Sequence, residues 1–141
     1  LANRLNVTVQ DVESRIEKLK RDKVIRQFTT IIDENIAETF SVKALVELTI
    51  RPQKDSGYDS IAKRIYNYSN VVSHYLVSGQ YDFLVVVEGK THKEISHFVF
   101  DKLATLEHVM STTTHFIFKC YKDQGILFND SENVNRVAIM P

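Results

Sequence analysis

Five consecutive residues between two apolar runs carry groups suited to binding a small zwitterion. In Ser78-Gly79-Gln80-Tyr81-Asp82, the glycine permits a turn that presents backbone N–H groups, the tyrosine carries a hydroxyl and the aspartate a carboxylate. Such groups can together bind the carboxylate and the ammonium of an amino acid. Period-two alternation along the preceding strand places His74 on the same side as Ser78. The predicted ligand-binding residues are therefore His74, Ser78, Gly79, Gln80, Tyr81 and Asp82.

The same segment also fits an ordinary hairpin turn. Gly79 would then supply a positive φ angle, and Asp82 would accept hydrogen bonds from the backbone. The residue types by themselves leave both interpretations open.

A second candidate site is the basic beginning of the chain. Residues 1–28 contain seven Lys and Arg against four Asp and Glu, and the remaining residues carry an equal excess of acids, so the net charge is zero. A short basic end on a mildly acidic body is expected when only that end meets phosphate.

The helix predicted within this basic segment separates apolar from polar residues. Thr8 is predicted to cap it, with Asp11 as the acidic partner, and the helix runs to about Asp22. Its polar face would place Gln10 and Ser14 over base edges in a major groove, with Lys18 and Arg21 near phosphates. A solvated helical face is the alternative. The predicted DNA-binding residues are Thr8, Gln10, Ser14, Arg15, Lys18 and Arg21.

Other chemistries find little support in the sequence. Cys120 is the only cysteine, which excludes intramolecular disulfides and a thiolate zinc site within one subunit. His92 and His97 stand five apart on a predicted helix and do not share a face, so we expect no metal site. No catalytic triad, Gly-rich phosphate loop or other set of catalytic residues is recognisable, and we expect no cofactor. Without a membrane span or a leader sequence, a cytoplasmic protein is expected.

The elements that position the first site begin after a helical start. Leu1–Leu5 is predicted to end a helix, and Val24–Ile32 is rich in β-branched residues and predicts a strand or paired ribbon. Residues 33–40 are a polar connector. We therefore divide the chain into a partial helix-turn-helix domain at 1–23, a linker at 24–40 and a larger domain at 41–141.

Residues 41–141 predict an α+β domain in the order βαββαβ. Four strands and two helices are predicted, with the middle two strands joined by the hairpin turn, which is the order of a ferredoxin-like sheet with both helices on one face. Phe83–Val87 is apolar without alternation, so we expect its strand to be central and covered on both faces, the second face by a copy of the chain. The predicted strands are Val42–Arg51, Val71–Ser78, Phe83–Glu88 and Val109–Tyr121; the helices begin at caps Ser56 and Thr91; 136–140 is a further edge strand.

Two stretches together resemble one family. The register of the helix-turn-helix in the leucine-responsive and asparagine-responsive regulators, the Lrp/AsnC or feast/famine family, is matched by Leu1-Ala2, Leu5-Asn6-Val7-Thr8, Val12, Arg15-Ile16, Leu19 and Val24-Ile25. The segment Val77–Phe83 looks like that family's Gly-x-Tyr-Asp turn, at the expected place in its βαββαβ domain. The resemblance covers nearly the whole chain.

The resemblance implies a DNA-binding transcription regulator with an ACT-like sensor domain. It implies binding of double-stranded DNA, a two-fold dimer made by the sheets and the ribbon, and assembly of dimers into larger rings such as octamers. It also implies amino acids or similar metabolites as effectors, bound near the Gly-x-Tyr-Asp turn where dimers meet. The family's first DNA-domain helix would precede Leu1, so the chain as given is expected to bind DNA poorly or not at all.

Two further functions remain open at this point. One is a stand-alone effector-binding module that modulates a partner without contacting DNA. The other is a haem-precursor decarboxylase, because such enzymes are similar in fold and combine the same two domains. An enzyme of that kind needs basic and histidine residues around a large cavity, and here the histidines are scattered along the chain.

Overall fold

A computed structural model of the chain describes residues 2–32, 41–52 and 57–128. The chain divides into two compact units, residues 1–33 and residues 34–141.

The first unit contains the two predicted helices. Helix α1 spans Ala2–Leu5 and helix α2 spans Val9–Arg21. The predicted capping box is confirmed: the Thr8 hydroxyl oxygen accepts a hydrogen bond from the Asp11 N–H at 3.1 Å, and the Asp11 carboxylate accepts one from the Thr8 N–H at 3.1 Å. Two of the N–H groups left unpaired at a helix start are thereby satisfied. Between the helices, Asn6 takes a left-handed conformation with φ 52°.

Helix α2 ends in a Schellman motif. The Val24 N–H donates to the Leu19 carbonyl at 2.9 Å, and the Lys23 N–H donates to the Lys20 carbonyl at 3.0 Å. This geometry requires a left-handed residue at the position after the cap, and Lys23 occupies it with φ 57°. The chain leaves the helix without a glycine.

The strand predicted at Val24–Ile32 is not formed in the single chain. Residues 24–32 belong to neither a helix nor a strand. Their β-branched side chains favour an extended backbone, but a strand also needs a neighbouring backbone to accept and donate hydrogen bonds. The polar connector predicted at 33–40 lies outside the described residues.

The second unit has the predicted βαββαβ order. Its strands are β1 (Val42–Ile50), β2 (Val71–Leu76), β3 (Phe83–Gly89) and β4 (Val109–Ile117), with helices α3 (Asp59–Tyr66) and α4 (His92–Phe98). The four strands form one antiparallel sheet in the order β2-β3-β1-β4. This is the arrangement predicted for a ferredoxin-like sheet, and the α+β class is confirmed.

The core lies on one face of this sheet, beneath both helices. Alternation along β1 buries Val46 and Leu48 completely, and β3 contributes Phe83 and Val85. The helices add the buried residues Ile61, Ile65, Ile95 and Phe98. Each such side chain contributes about 1.5–3 kcal/mol on burial, so this face supplies most of the hydrophobic stabilisation of the unit.

The opposite face of the sheet is only partly covered. Leu45 on β1 and Leu84 and Val86 on β3 are half-buried, and Ile117 on β4 is 36% exposed. In the single chain, therefore, β3 is central as predicted but buried on one face only.

Helix α4 begins at its predicted cap and ends in an unpredicted π-helix. The Thr91 hydroxyl accepts from the Glu94 N–H at 3.1 Å, while the Glu94 carboxylate accepts from the N–H of Lys90 at 2.8 Å. After Phe98 the chain widens into a π-helix over Val99–Leu103. The wider turn allows the residues at both ends of that segment, Val99 and Leu103, to be buried in the core.

Other boundaries differ from those predicted. The last sheet strand was predicted to reach Tyr121, but it ends at Ile117, and Phe118 is 91% exposed. An unpredicted hairpin follows, β5 (Lys122–Asp123) and β6 (Ile126–Leu127), with positive φ angles in the two residues between them. The predicted cap Ser56 and the predicted strand at 136–140 lie outside the described residues. Helix α3 has Tyr58 at its N-cap, without a side-chain cap.

Candidate effector site and DNA-binding helix

The predicted effector loop lies at the end of the β2–β3 hairpin. The Val77 N–H donates to the Asp82 carbonyl at 2.8 Å and closes a loop of four residues, Ser78–Tyr81. Gly79 has φ 149°, a conformation that side-chain-bearing residues rarely adopt. No atom lies within 4 Å of where a Cβ would stand at Gly79, so the space beside it is open.

Asp82 attaches this loop to the rest of the unit. Its carboxylate accepts hydrogen bonds from the Ile50 N–H at 2.7 Å and from the Tyr58 hydroxyl at 2.8 Å. Its own N–H donates to the Leu48 carbonyl at 3.0 Å. The hydrogen bond to the carboxylate raises the pKa of Tyr58 above its ordinary value, because it stabilises the protonated phenol. Asp82 therefore holds the loop against β1 and the start of α3.

The Asp82 carboxylate, which the sequence predicts as a ligand contact, is hydrogen-bonded within the chain. Both carboxylate oxygens already accept hydrogen bonds from within the chain. Sequence spacing could not show this, since the donors are 32 and 24 residues away.

Unused hydrogen-bond donors remain in the loop itself. Within the described part of the chain, no acceptor lies opposite the backbone N–H groups of Ser78, Gly79, Gln80 and Tyr81. The first three of these residues are exposed and Tyr81 is half-buried. Exposed N–H groups of this kind can donate hydrogen bonds to an anion such as a carboxylate.

His74 lies away from this loop, on the helix-facing side of β2. Its ring packs edge-to-face on Phe83 with the centroids 4.5 Å apart. Its Nε2 atom is buried without a hydrogen-bond partner among the described residues, and burial lowers the pKa of the imidazole below its ordinary value. The alternation that linked His74 to Ser78 ends where β2 ends, at Leu76.

A cavity of about 270 Å³ adjoins His74, between α3 and β2. Its main lining residues are Tyr58, Asp59, Tyr66, His74, Leu76 and Phe83. No local pattern predicts it, because its walls come from α3, β2 and β3, and the packing of these elements is not visible in local periodicity.

On helix α2, the predicted DNA-contacting side chains are all exposed. At 100° per residue, Gln10, Ser14, Lys18 and Arg21 project opposite the half-buried Val12 and Ile16. Arg15 lies beside the apolar stripe. The Thr8 hydroxyl accepts from the Asp11 N–H at 3.1 Å and donates to the Asp11 carboxylate at 2.6 Å, so Thr8 serves as the helix cap.

One ion pair lies beside this polar face. The Lys20 ammonium is 2.8 Å from the Glu17 carboxylate, and this contact lowers the pKa of Glu17. Lys20 is thus engaged within the helix. No ion pair involves Lys18 or Arg21 among the residues that the structure describes.

The part of the chain that the structure describes contains neither a candidate metal site nor a membrane-spanning helix. In residues 2–32, 41–52 and 57–128, no three His, Cys, Asp or Glu side chains cluster as metal ligands would. None of the helices in those ranges has the length and apolar content needed to cross a bilayer.

A capped helix pair with an exposed basic face and, in the same chain, an α+β domain with a loop of exposed N–H groups are the two parts of a helix-turn-helix regulator with a ligand-binding domain. Comparison with known proteins agrees. A family model, the Lrp/AsnC ligand binding domain, matches residues 43–127. The helix-turn-helix transcriptional regulator YugG of Bacillus subtilis is 37% identical over 142 residues, which cover 100% of this chain and 86% of that protein.

Solved structures show the same fold. A transcriptional regulator of Neisseria meningitidis in complex with L-methionine has a TM-score of 0.70 at 21% identity, covering 91% of this chain and 82% of that one. AsnC of E. coli has a TM-score of 0.70 at 19% identity, covering 89% and 82%. The chain belongs to the Lrp/AsnC family. It is a DNA-binding transcription regulator that responds to a small molecule.

Proposed function

We propose that the small molecule is an amino acid, that it binds at the loop Ser78–Tyr81, and that its binding changes how the protein engages double-stranded DNA through α2. The observation that carries this proposal is the row of four unpartnered N–H groups in that loop. They suit the carboxylate that every amino acid carries. Open space beside Gly79 leaves room for the ligand to approach the backbone.

Similar proteins support the nature of the ligand. The Neisseria meningitidis regulator contains L-methionine, and so does a feast or famine regulatory protein of M. tuberculosis, which has a TM-score of 0.69 at 21% identity. An amino acid of similar size is the natural first ligand to test. In this proposal Asp82 positions the loop, while Gln80 and Tyr81 contact the ligand.

The DNA contacts are proposed for the outer face of α2. Gln10 and Ser14 would meet base edges, and Lys18 and Arg21 would meet phosphates, because their side chains are exposed on one side of the helix. Thr8 and Arg15 flank that face.

The protein is also proposed to act as a homodimer and as larger assemblies of dimers. The half-buried apolar side chains of Leu45, Leu84 and Val86 form a patch on the outer face of the sheet. A second copy of the same face can cover this patch by two-fold symmetry.

Calorimetric titration tests the effector site. We expect L-methionine or another of the twenty amino acids to bind the wild-type protein, and Gly79→Ala to weaken binding by about tenfold or more, since alanine is strained at this φ and narrows the approach. Gly125→Ala is the matched control, because Gly125 also has a positive φ with open space around it but lies in the β5–β6 hairpin. Equal loss in both variants would reject the loop as the site.

Gel-shift titration over a range of salt concentrations tests the DNA contacts. The complete gene product, with any residues that precede Leu1, should bind fragments selected from a random DNA pool. Arg21→Ala should lower the slope of log affinity against log salt by about 0.9, the value for one phosphate contact. Lys20→Ala is the control, because Lys20 is paired with Glu17. A protein that binds an amino acid but no DNA would instead be an effector-binding module.

A further inference from the structure

The cavity between α3 and β2 has aromatic walls. The Phe83 ring is contacted edge-to-face by Tyr58, with centroids 5.6 Å apart, and by His74 at 4.5 Å. Tyr66 on α3, which is 54% exposed, stands at the opening. The Phe83 ring itself is buried behind the wall, so Tyr58 and Tyr66 are the rings that can meet a cation, which their negative quadrupole attracts.

The charge of the cavity has one sign. Among its described lining residues, Asp59 is the one ionisable acid, and neither lysine nor arginine is present. A second carboxylate, that of Asp82, lies behind the wall, where it accepts the Tyr58 hydroxyl. A cation entering the cavity therefore meets negative charge without a competing positive side chain.

His74 adds an uncharged ring to the cavity wall. Its Nε2 atom is fully buried, so a ligand atom in the cavity does not reach it. Burial lowers the pKa of the ring, which keeps the imidazole free of a positive charge that would repel a cation.

We propose that this cavity binds an alkylammonium group, carried by the side chain of a basic amino acid or by a small free amine. Asp59 meets its charge, and the rings of Tyr58 and Tyr66 contact its methylene groups. The volume of about 270 Å³ suits a ligand of that size, since it falls just below the range for drug-sized molecules. The site differs from the loop Ser78–Tyr81, although Tyr58 and Asp82 join the two.

Nuclear magnetic resonance titration of the full chain with n-butylamine tests the proposal. Butylamine should shift the resonances of the His74 imidazole and of the Ala62 and Tyr66 amides, while butyrate and n-butanol should not. Asp59→Asn should weaken butylamine binding by about tenfold or more. Asp101→Asn is the matched control, an exposed acid on the π-helix, and should bind as the wild type does. Amide spectra of both variants establish that they are folded.

The two sources of the ammonium group are separated by L-lysine. Tighter binding of L-lysine than of butylamine assigns the site to a basic amino acid, and equal binding assigns it to a free amine. Equal shifts with butyrate or butanol, no shift with butylamine, or an unchanged affinity in Asp59→Asn would each overturn the proposal. Failure here leaves the effector loop untouched, because L-methionine binding is followed separately at the Ser78–Tyr81 amides.

Discussion

Asp82 determines the position of the loop Ser78–Tyr81, because its carboxylate joins the residue before β3 to the end of β1 and to Tyr58 at the start of α3. A residue that the sequence marks as a ligand contact thus works first as a structural anchor. Loss of ligand binding in an Asp82 variant would follow from a displaced loop.

We expect Asp82→Ala to lower the free energy of unfolding by about 2–4 kcal/mol, because two hydrogen bonds to a charged acceptor are removed. It should also abolish amino-acid binding. Urea unfolding followed by circular dichroism measures the first effect. Asp123→Ala, at an exposed position in β5, should change stability by less than about 0.5 kcal/mol. A loss no greater than in this control would mean that the Asp82 bonds contribute little.

His74 should make stability depend on pH. Its pKa is lowered in the folded protein, so the unfolded chain takes up a proton first as pH falls. Stability should be constant above about pH 7.5 and decrease as pH falls through about 6.5, the ordinary pKa of histidine, towards the lowered value. Urea unfolding at pH 5 to 8 measures this, and His74→Leu should flatten the profile.

The wild-type protein measured in the same buffers is the control for that measurement. If His74→Leu and the wild type lose stability in parallel, His74 is not the group responsible.

Helix α2 ends with a lysine at the position after its C-cap, where glycine is favoured. Lys23 is left-handed, with φ 57°, whereas Asp22 before it has φ −74°. Lys23→Gly should raise the stability of the first unit by up to about 1 kcal/mol, because it removes the Cβ penalty at C′. Asp22→Gly should have the opposite sign. Thermal unfolding of the helical signal distinguishes the two, and destabilisation by Lys23→Gly would contradict the motif.

Local patterns were sufficient for elements whose signal lies within one turn or one strand. The Thr8 and Thr91 caps and the alternation along β1 predicted their helices and strand correctly, since capping and burial act between near neighbours. The segment 24–32, predicted as a strand or paired ribbon, forms no strand in the single chain, because pairing depends on a partner that the segment does not contain. The cavity at His74 and the hydrogen bonds of the Asp82 carboxylate were not predicted, because both arise from contacts between residues far apart in the sequence.

At the scale of the whole molecule, the outer face of the sheet carries a patch of half-buried apolar side chains that a second copy of the chain can cover. Val86 pairs with Leu45 across β1 and β3, near the middle of that face. A charged side chain at Val86 would be buried, at a cost in free energy, if two such sheets packed face to face, whereas in a single chain it could reach water.

We therefore expect Val86→Glu to produce monomers, and sedimentation velocity to show the change. Lys93→Glu, on the exposed side of α4, should leave the assembly as it is in the wild type. Dimers that persist in Val86→Glu would place the subunit contact on another surface.

The anchoring of the loop Ser78–Tyr81 also bears on how fast the protein can respond. Asp82 orders the loop when the chain folds, so little conformational entropy is left to lose when the ligand arrives. Association should then be limited by diffusion and orientation, with a rate constant of at least about 10⁵–10⁷ M⁻¹s⁻¹. At about 1 mM ligand, binding to the proposed site would then take on the order of 0.1–10 ms, and the slower steps of the response would be those that rearrange subunits and DNA.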